Sequence, residues 1–165
     1  MQGRGEIVVG VDGSVHSHRA LEWALGEARV RGIGVVLVHA FELSGLVAAE
    51  PSASADMVDA YRRDAQALLD RAVERARHLA PEVDVRAELG YGPASAALVE
   101  AARGAVMLVV GSRGRGGFVG ALLGSVSSAC VHHASCPIVV VPPPERSDQP
   151  ERHEEEPAGA GPSGG

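Results

Sequence analysis

Five short runs of apolar residues, four of them almost unbroken, punctuate this chain, and the stretches between them repeat apolar residues at helical spacing. A run such as Val106-Met107-Leu108-Val109-Val110 leaves no polar position on either side of an extended strand. Strands of that kind are buried on both faces, which requires a parallel sheet covered by helices above and below. Residues 6–11, 35–40, 106–110 and 138–141 read this way. Residues 83–89 differ, because Val83, Val85, Ala87 and Leu89 alternate with Asp84, Arg86 and Glu88, the pattern of an outer strand with one solvated face. The chain is 45% hydrophobic but only 3% aromatic, so its core must be built from Val, Leu, Ile and Ala.

The intervening segments supply the helices. Ala20, Leu21, Ala24, Leu25 and Ala28 mark a helix over 14–31, capped near Ser14 or Ser17 and ended by Gly32 and Gly34. Tyr61, Ala65, Leu68, Ala72, Ala76 and Leu79 mark a long second helix stopped by Pro81, after a loop over 42–55. A turn at 90–93 leads into a third helix reaching about Arg103, and Gly124-Ser125 opens a last one through His133. Strand, helix, strand in series with short links implies right-handed parallel crossovers. The expected fold is therefore α/β, a five-stranded parallel doubly wound sheet in the order 3-2-1-4-5, flavodoxin-like or Rossmann-like with three α/β/α layers.

At 165 residues one domain is expected, over 5–142, followed by a disordered tail over 143–165. Of the formal net charge of −6, the tail's six acidic and two basic residues carry −4, which leaves −2 for the domain. A near-neutral domain without a basic stripe has little electrostatic reason to bind nucleic acid or an anionic membrane. The amino-terminal residues lack the apolar stretch of a secretory signal and no run is long enough for a membrane span, so a cytoplasmic protein is expected, with Cys130 and Cys136 as packing thiols.

In a doubly wound sheet ligands bind beyond the carboxyl ends of the strands where the winding reverses, here between strands one and four. The elements ending there are Asp12-Gly13-Ser14 and the loop that begins Gly111-Ser112-Arg113-Gly114. Glycines at 111, 114, 116, 117 and 124 allow close approach of backbone N–H groups to phosphate oxygens, and the helix start at Gly124-Ser125 adds unbonded donors. Ser125 and Ser127 are candidate hydroxyl donors, Arg113 or Arg115 would neutralise phosphate charge, and Asp12 suits a ribose hydroxyl.

Competing chemistries fail on specific residues. A P-loop needs a lysine, and all fifteen basic residues are Arg. A dinucleotide fingerprint would put G-x-G-x-x-G after strand one, where Gly10-Val11-Asp12-Gly13-Ser14 stands. His132, His133, Cys136 and His39 lack metal-ligand spacing, and His16 and His18, flanking Ser17, lack the third member of a triad and read as solvated. No catalytic residue is assigned and no metal ligand is expected.

Gly111-x2-Gly114-x9-Gly124-Ser125, together with Val11-Asp12-Gly13-Ser14, His39 and the closing Ser135-Cys136-Pro137 before a valine strand, resembles the universal stress protein family over about residues 5–142. The resemblance implies ATP binding, with AMP or ADP as alternatives and Mg or Mn beside the phosphates. It implies phosphate or ribose contacts from Gly111, Arg113, Gly114, Gly124, Ser125, Val126 and Ser127, and ribose and adenine-side contacts from Asp12 with Gly10 and Val11. Backbone at Ala40 would meet the adenine edge, and Val110 would floor the pocket. The loop from Arg115 to Leu123 is richer in glycine than the pattern requires. The resemblance further implies a homodimer through the apolar fifth strand, Ile138–Val141, and a role as a stress-response regulator with an unidentified protein partner. The alternatives are a slow ATPase or autophosphorylating enzyme, for which no general base is evident, and an interaction module without nucleotide, which would lack the glycine pattern.

Overall fold

The computed structural model describes residues 5–42, 55–114 and 123–143. Five strands, β1 (Ile7–Gly10), β2 (Val35–Phe41), β3 (Val85–Tyr91), β4 (Met107–Gly111) and β5 (Ile138–Val141), form one sheet in the order β3-β2-β1-β4-β5. All its pairings are parallel, with Ile7 opposite both Val35 and Met107. The helices are α1 (Val15–Arg31), α2 (Ala55–Leu79), α3 (Ala94–Ala101) and α4 (Ser125–His133). This is the expected doubly wound, flavodoxin-like α/β fold.

Successive strand residues point to opposite faces, so each apolar run feeds two cores. Ile7, Val9, Val35, Leu37 and Val109 pack with Leu21 and Leu25 of α1 and Leu69 of α2. Val8, Val36, Val38, Leu108 and Val110 pack with Leu98 of α3 and Cys130 of α4. The helices therefore cover both faces of the sheet, and each fully buried Val or Leu contributes roughly 1.5–3 kcal/mol of transfer free energy. Among the described residues no helix is long and apolar enough to cross a membrane.

Several boundaries differ from expectation for local reasons. β1 is a residue shorter at each end than the 6–11 run. The third strand begins at Val85 and runs on to Tyr91, leaving Val83 buried in the preceding turn. Its alternation is only partly realised, since Ala87 is exposed and Val85 is its one buried residue. Gly90, expected in the turn, lies in the strand; a Cβ there would stand 2.7 Å from the Cβ of Ala97, so its missing side chain lets α3 approach. The turn falls at Gly92, with φ +94°, after Tyr91 has set its ring edge-on to Phe41 at 5.3 Å. α2 starts at Ala55, ahead of Tyr61, and α3 stops at Ala101 because Gly104 turns the chain at φ 76°. Residues 43–54 of the loop expected over 42–55, the loop residues Arg115, Gly116 and Gly117, and residues 144–165 of the tail expected over 143–165 lie outside the described residues, while Ala55 already belongs to α2.

The two sheet edges contrast. On β3, Arg86 is paired with Glu6, its Nε donating at 2.9 Å, and Glu88 stands beside it. On β5, Ile138, Val139 and Val140 are half-buried and only Val141 is buried.

Candidate functional site

At the carboxyl ends of β1 and β4 the chain leaves toward opposite faces, into α1 on one side and through the glycine loop to α4 on the other. A cleft of about 380 Å³ opens between them. It is lined by Gly10, Val11 and Asp12 after β1, by Ala40 at the end of β2, and by Val110, Gly111, Arg113 and Gly114 at the end of β4. Gly124, Ser125, Val126 and Ser127 close it from α4. The twelve residues to which the resemblance assigns ligand contacts thus line one cleft. Ser17, Val38, His39, Ala94, Leu98 and Leu123 line it as well and were not assigned there. Leu98 sits close under β1, since a Cβ on Gly10 would stand 3.1 Å from its side chain.

The glycines have separate tasks. A Cβ on Gly111 would come within 2.9 Å of the His16 backbone, so its absence lets the start of α1 pack against β4. A Cβ on Gly114 would stand 2.8 Å from Asp12 Oδ2, so its absence leaves the carboxylate room across the cleft.

Asp12 also builds the turn into α1. Its Oδ1 accepts from Ser14 N–H at 2.9 Å, and Gly13 takes φ +77°. Ser14 is the N-cap, its Oγ accepting from Ser17 N–H at 3.2 Å. Of the two expected caps, Ser14 therefore serves, and Ser17 is buried with its hydroxyl donating to Ser14 O at 3.0 Å. Val11 is fixed to β2 twice: its N–H donates to Val38 O at 2.9 Å, and its carbonyl accepts from His39 Nδ1 at 2.7 Å.

The start of α4 is organised differently. Its N-cap is Gly124, extended at φ −73° and ψ 167°, with no side chain to accept a hydrogen bond. Ser128 N–H makes the first helical bond, to Gly124 O at 2.9 Å. The N–H groups of Ser125, Val126 and Ser127 precede it, without a partner among the described residues, at the positive end of a helix dipole. Gly124 N–H is tied to Ser112 O at 2.7 Å, which anchors this helix start to the end of β4. Ser127 was expected to offer its hydroxyl to phosphate. Instead it is buried at 3% exposure and its Oγ lies 3.0 Å from both Ser112 O and Gly124 O, donating its one hydrogen to this junction. Ser125 is exposed.

Arg113 is the sole cation among the described lining residues, and it is half-buried. Three buried polar side-chain atoms lack a protein partner among the described residues: His16 Nδ1, Ser112 Oγ and Arg113 Nε. All lie at or within two residues of the Gly111–His16 contact. Of these three residues only Arg113 lines the cleft. His16 and His18, read as solvated helix-start residues, are both half-buried; at His16 the missing Gly111 side chain lets α1 pack onto β4. His132 and His133 are exposed at the far end of α4. Cys130 is fully buried, and burial pushes its thiol up to about 11.

Comparison with known proteins follows this architecture. The Universal stress protein family matches residues 3–142. A universal stress protein of Mycobacterium tuberculosis is 36% identical, over 87% of this chain and 50% of its own length. The chain spans about half the length of the curated relatives it matches, a second M. tuberculosis universal stress protein being covered over 46%. A universal stress protein from Lactobacillus plantarum has the same fold, with a TM-score of 0.72 at 20% identity over 86% of this chain and 99% of that one. A universal stress protein solved in complex with cAMP superposes with a TM-score of 0.61 at 26% identity, over 85% of this chain and 98% of that one. The chain belongs to the universal stress protein family.

Proposed function

We propose that this chain is an adenine-nucleotide-binding regulator that holds ATP, with Mg or Mn accompanying the phosphates, in the cleft between β1 and β4. The observation that carries this reading is the start of α4, whose three leading N–H groups meet no cap side chain and face a cleft that also holds a half-buried arginine. Phosphate oxygens lie against Gly114, Gly124, Ser125, Val126 and the backbone of Ser127, with Arg113 balancing their charge. Asp12 takes the ribose, and the base lies over Gly10 and Val110 toward Ala40. The complex of a related universal stress protein with cAMP supports an adenine nucleotide as the ligand class. The protein acts as a switch whose nucleotide-bound surface is read by a protein partner.

The half-buried apolar β5 edge, at the opposite side of the sheet from the charged β3 edge, supports a homodimer through Ile138–Val141. No affinity for nucleic acid or an anionic membrane fits a domain of net charge −2 without a basic stripe, and a cytoplasmic location belongs to the same reading. Calorimetric titration with ATP, ADP, AMP and cAMP, after assay for nucleotide carried through purification, tests the ligand. Saturable binding of one of them is expected; no binding and no carried nucleotide would move the protein to an interaction module. Sedimentation of an Ile138→Lys, Val140→Lys double variant tests the dimer, which is expected to dissociate.

A further inference from the structure

The junction of β1 and β2 departs from a regular ladder at one rung. Gly10 is the last β1 residue in register, opposite Val38, and Val11 N–H still donates to Val38 O. Odd-numbered residues of β2 turn their backbone groups toward β3, since Val35 N–H donates to Asp84 O and Phe41 O accepts from Gly92 N–H. Even-numbered residues face β1. A parallel ladder continued by one step would carry Ala40 N–H to Val11 O. That oxygen instead accepts from His39 Nδ1 at 2.7 Å, and among the described residues no backbone bond runs from Ala40 N–H to it. A carbonyl only accepts, so the Nδ1 of His39 carries the proton.

We infer that His39 is a specificity-positioning residue, whose imidazole takes the last rung of the ladder and leaves Ala40 N–H turned to the cleft as a ligand donor. Ala40 lines the cleft, and its carbonyl turns the same way as its N–H. A donor beside an acceptor matches N1 and the N6 amino group of adenine, whereas guanine presents N1–H and O6, the reverse. The same bond holds the plane of the Val11–Asp12 peptide, because a peptide unit turns as one body. His39 therefore couples selection of the base to placement of the ribose-side carboxylate.

The selectivity part rests on the adenine reading of the cleft; the backbone part does not, and the two are tested separately. Amide hydrogen exchange on the full chain without nucleotide reads the backbone directly. Ala40 is expected to exchange faster than Val38 in the wild type, to slow by about tenfold in His39→Val, where Val11 O regains the amide, and to stay fast in His39→Asn, whose amide nitrogen stands near the place of Nδ1. Ala40 as protected as Val38 in the wild type would overturn the inference, whether or not the variants fold. Titration with ATP and GTP then reads selectivity: the ratio of affinities is expected to fall about tenfold in His39→Val and to survive in His39→Asn. An unchanged ratio in His39→Val would also overturn it. A wild type that binds neither nucleotide sinks the proposed ligand instead, and the exchange result still decides the role of His39.

Discussion

Two helix starts meet at the cleft, and they are built in opposite ways. α1 begins with its own acceptors in place, Ser14 Oγ on Ser17 N–H and Asp12 Oδ1 on Ser14 N–H. α4 begins at a glycine with no side chain to cap it, and the glycine carbonyl accepts from Ser128 N–H. The first arrangement satisfies one leading helical donor, Ser17 N–H, with a side chain of its own and stabilises the fold. The second leaves donors for something else while Gly124 N–H and the Ser127 hydroxyl tie it firmly to Ser112. Stability and binding are thus assigned to different helix ends a few residues apart in space, and substitutions at the two should separate them.

The largest effect is expected at Gly124→Asp, which gives α4 the cap it lacks and puts a carboxylate where phosphate is proposed to lie. Like charges about 4 Å apart repel by a few kcal/mol at a protein surface, so ATP affinity should fall by about a hundredfold or more. The fold should gain a few tenths of a kcal/mol in the same variant, by thermal unfolding, because Asp caps better than Gly. Arg113→Gln comes next: loss of a charged donor should weaken ATP about tenfold to a hundredfold by calorimetry and leave adenosine affected much less. Gly111→Ala acts on the α1 side, where the added methyl meets the His16 backbone, and should cost about 1–3 kcal/mol of stability in denaturant titration. Ser14→Ala should be smallest, about 1 kcal/mol of stability with ATP affinity nearly unchanged. Loss of binding in Ser14→Ala equal to that in Gly124→Asp would break the comparison.

Much of this was written in the sequence because it is local. Val and Leu runs of four to six residues bounded by turn residues read as strands buried on two faces, and the sheet order followed from the alternation of strands and helices together with the solvated pattern of the third strand. The glycine loop and Asp12 were legible because strand-end turns with unusual composition are short-range features. Gly90 misled, since a glycine needed for the approach of Ala97 has the same appearance in sequence as one that turns a chain. Leu98 and Ala94 were not legible as cleft residues, because only the packing of α3 across β1 and β2 brings them there. Ser127 was read as a free hydroxyl, and its capture by Ser112 O depends on a backbone path that spacing does not specify.

The central claim is that α4, and not α1, offers its first N–H groups to nucleotide phosphate. Amide chemical shifts followed by nuclear magnetic resonance during titration with ATP test it most directly. The account predicts large, saturable shifts at Ser125, Val126 and Ser127 and small ones at His16 and Ser17. Shifts concentrated at His16 and Ser17, or none at α4 under saturating ATP, would contradict it.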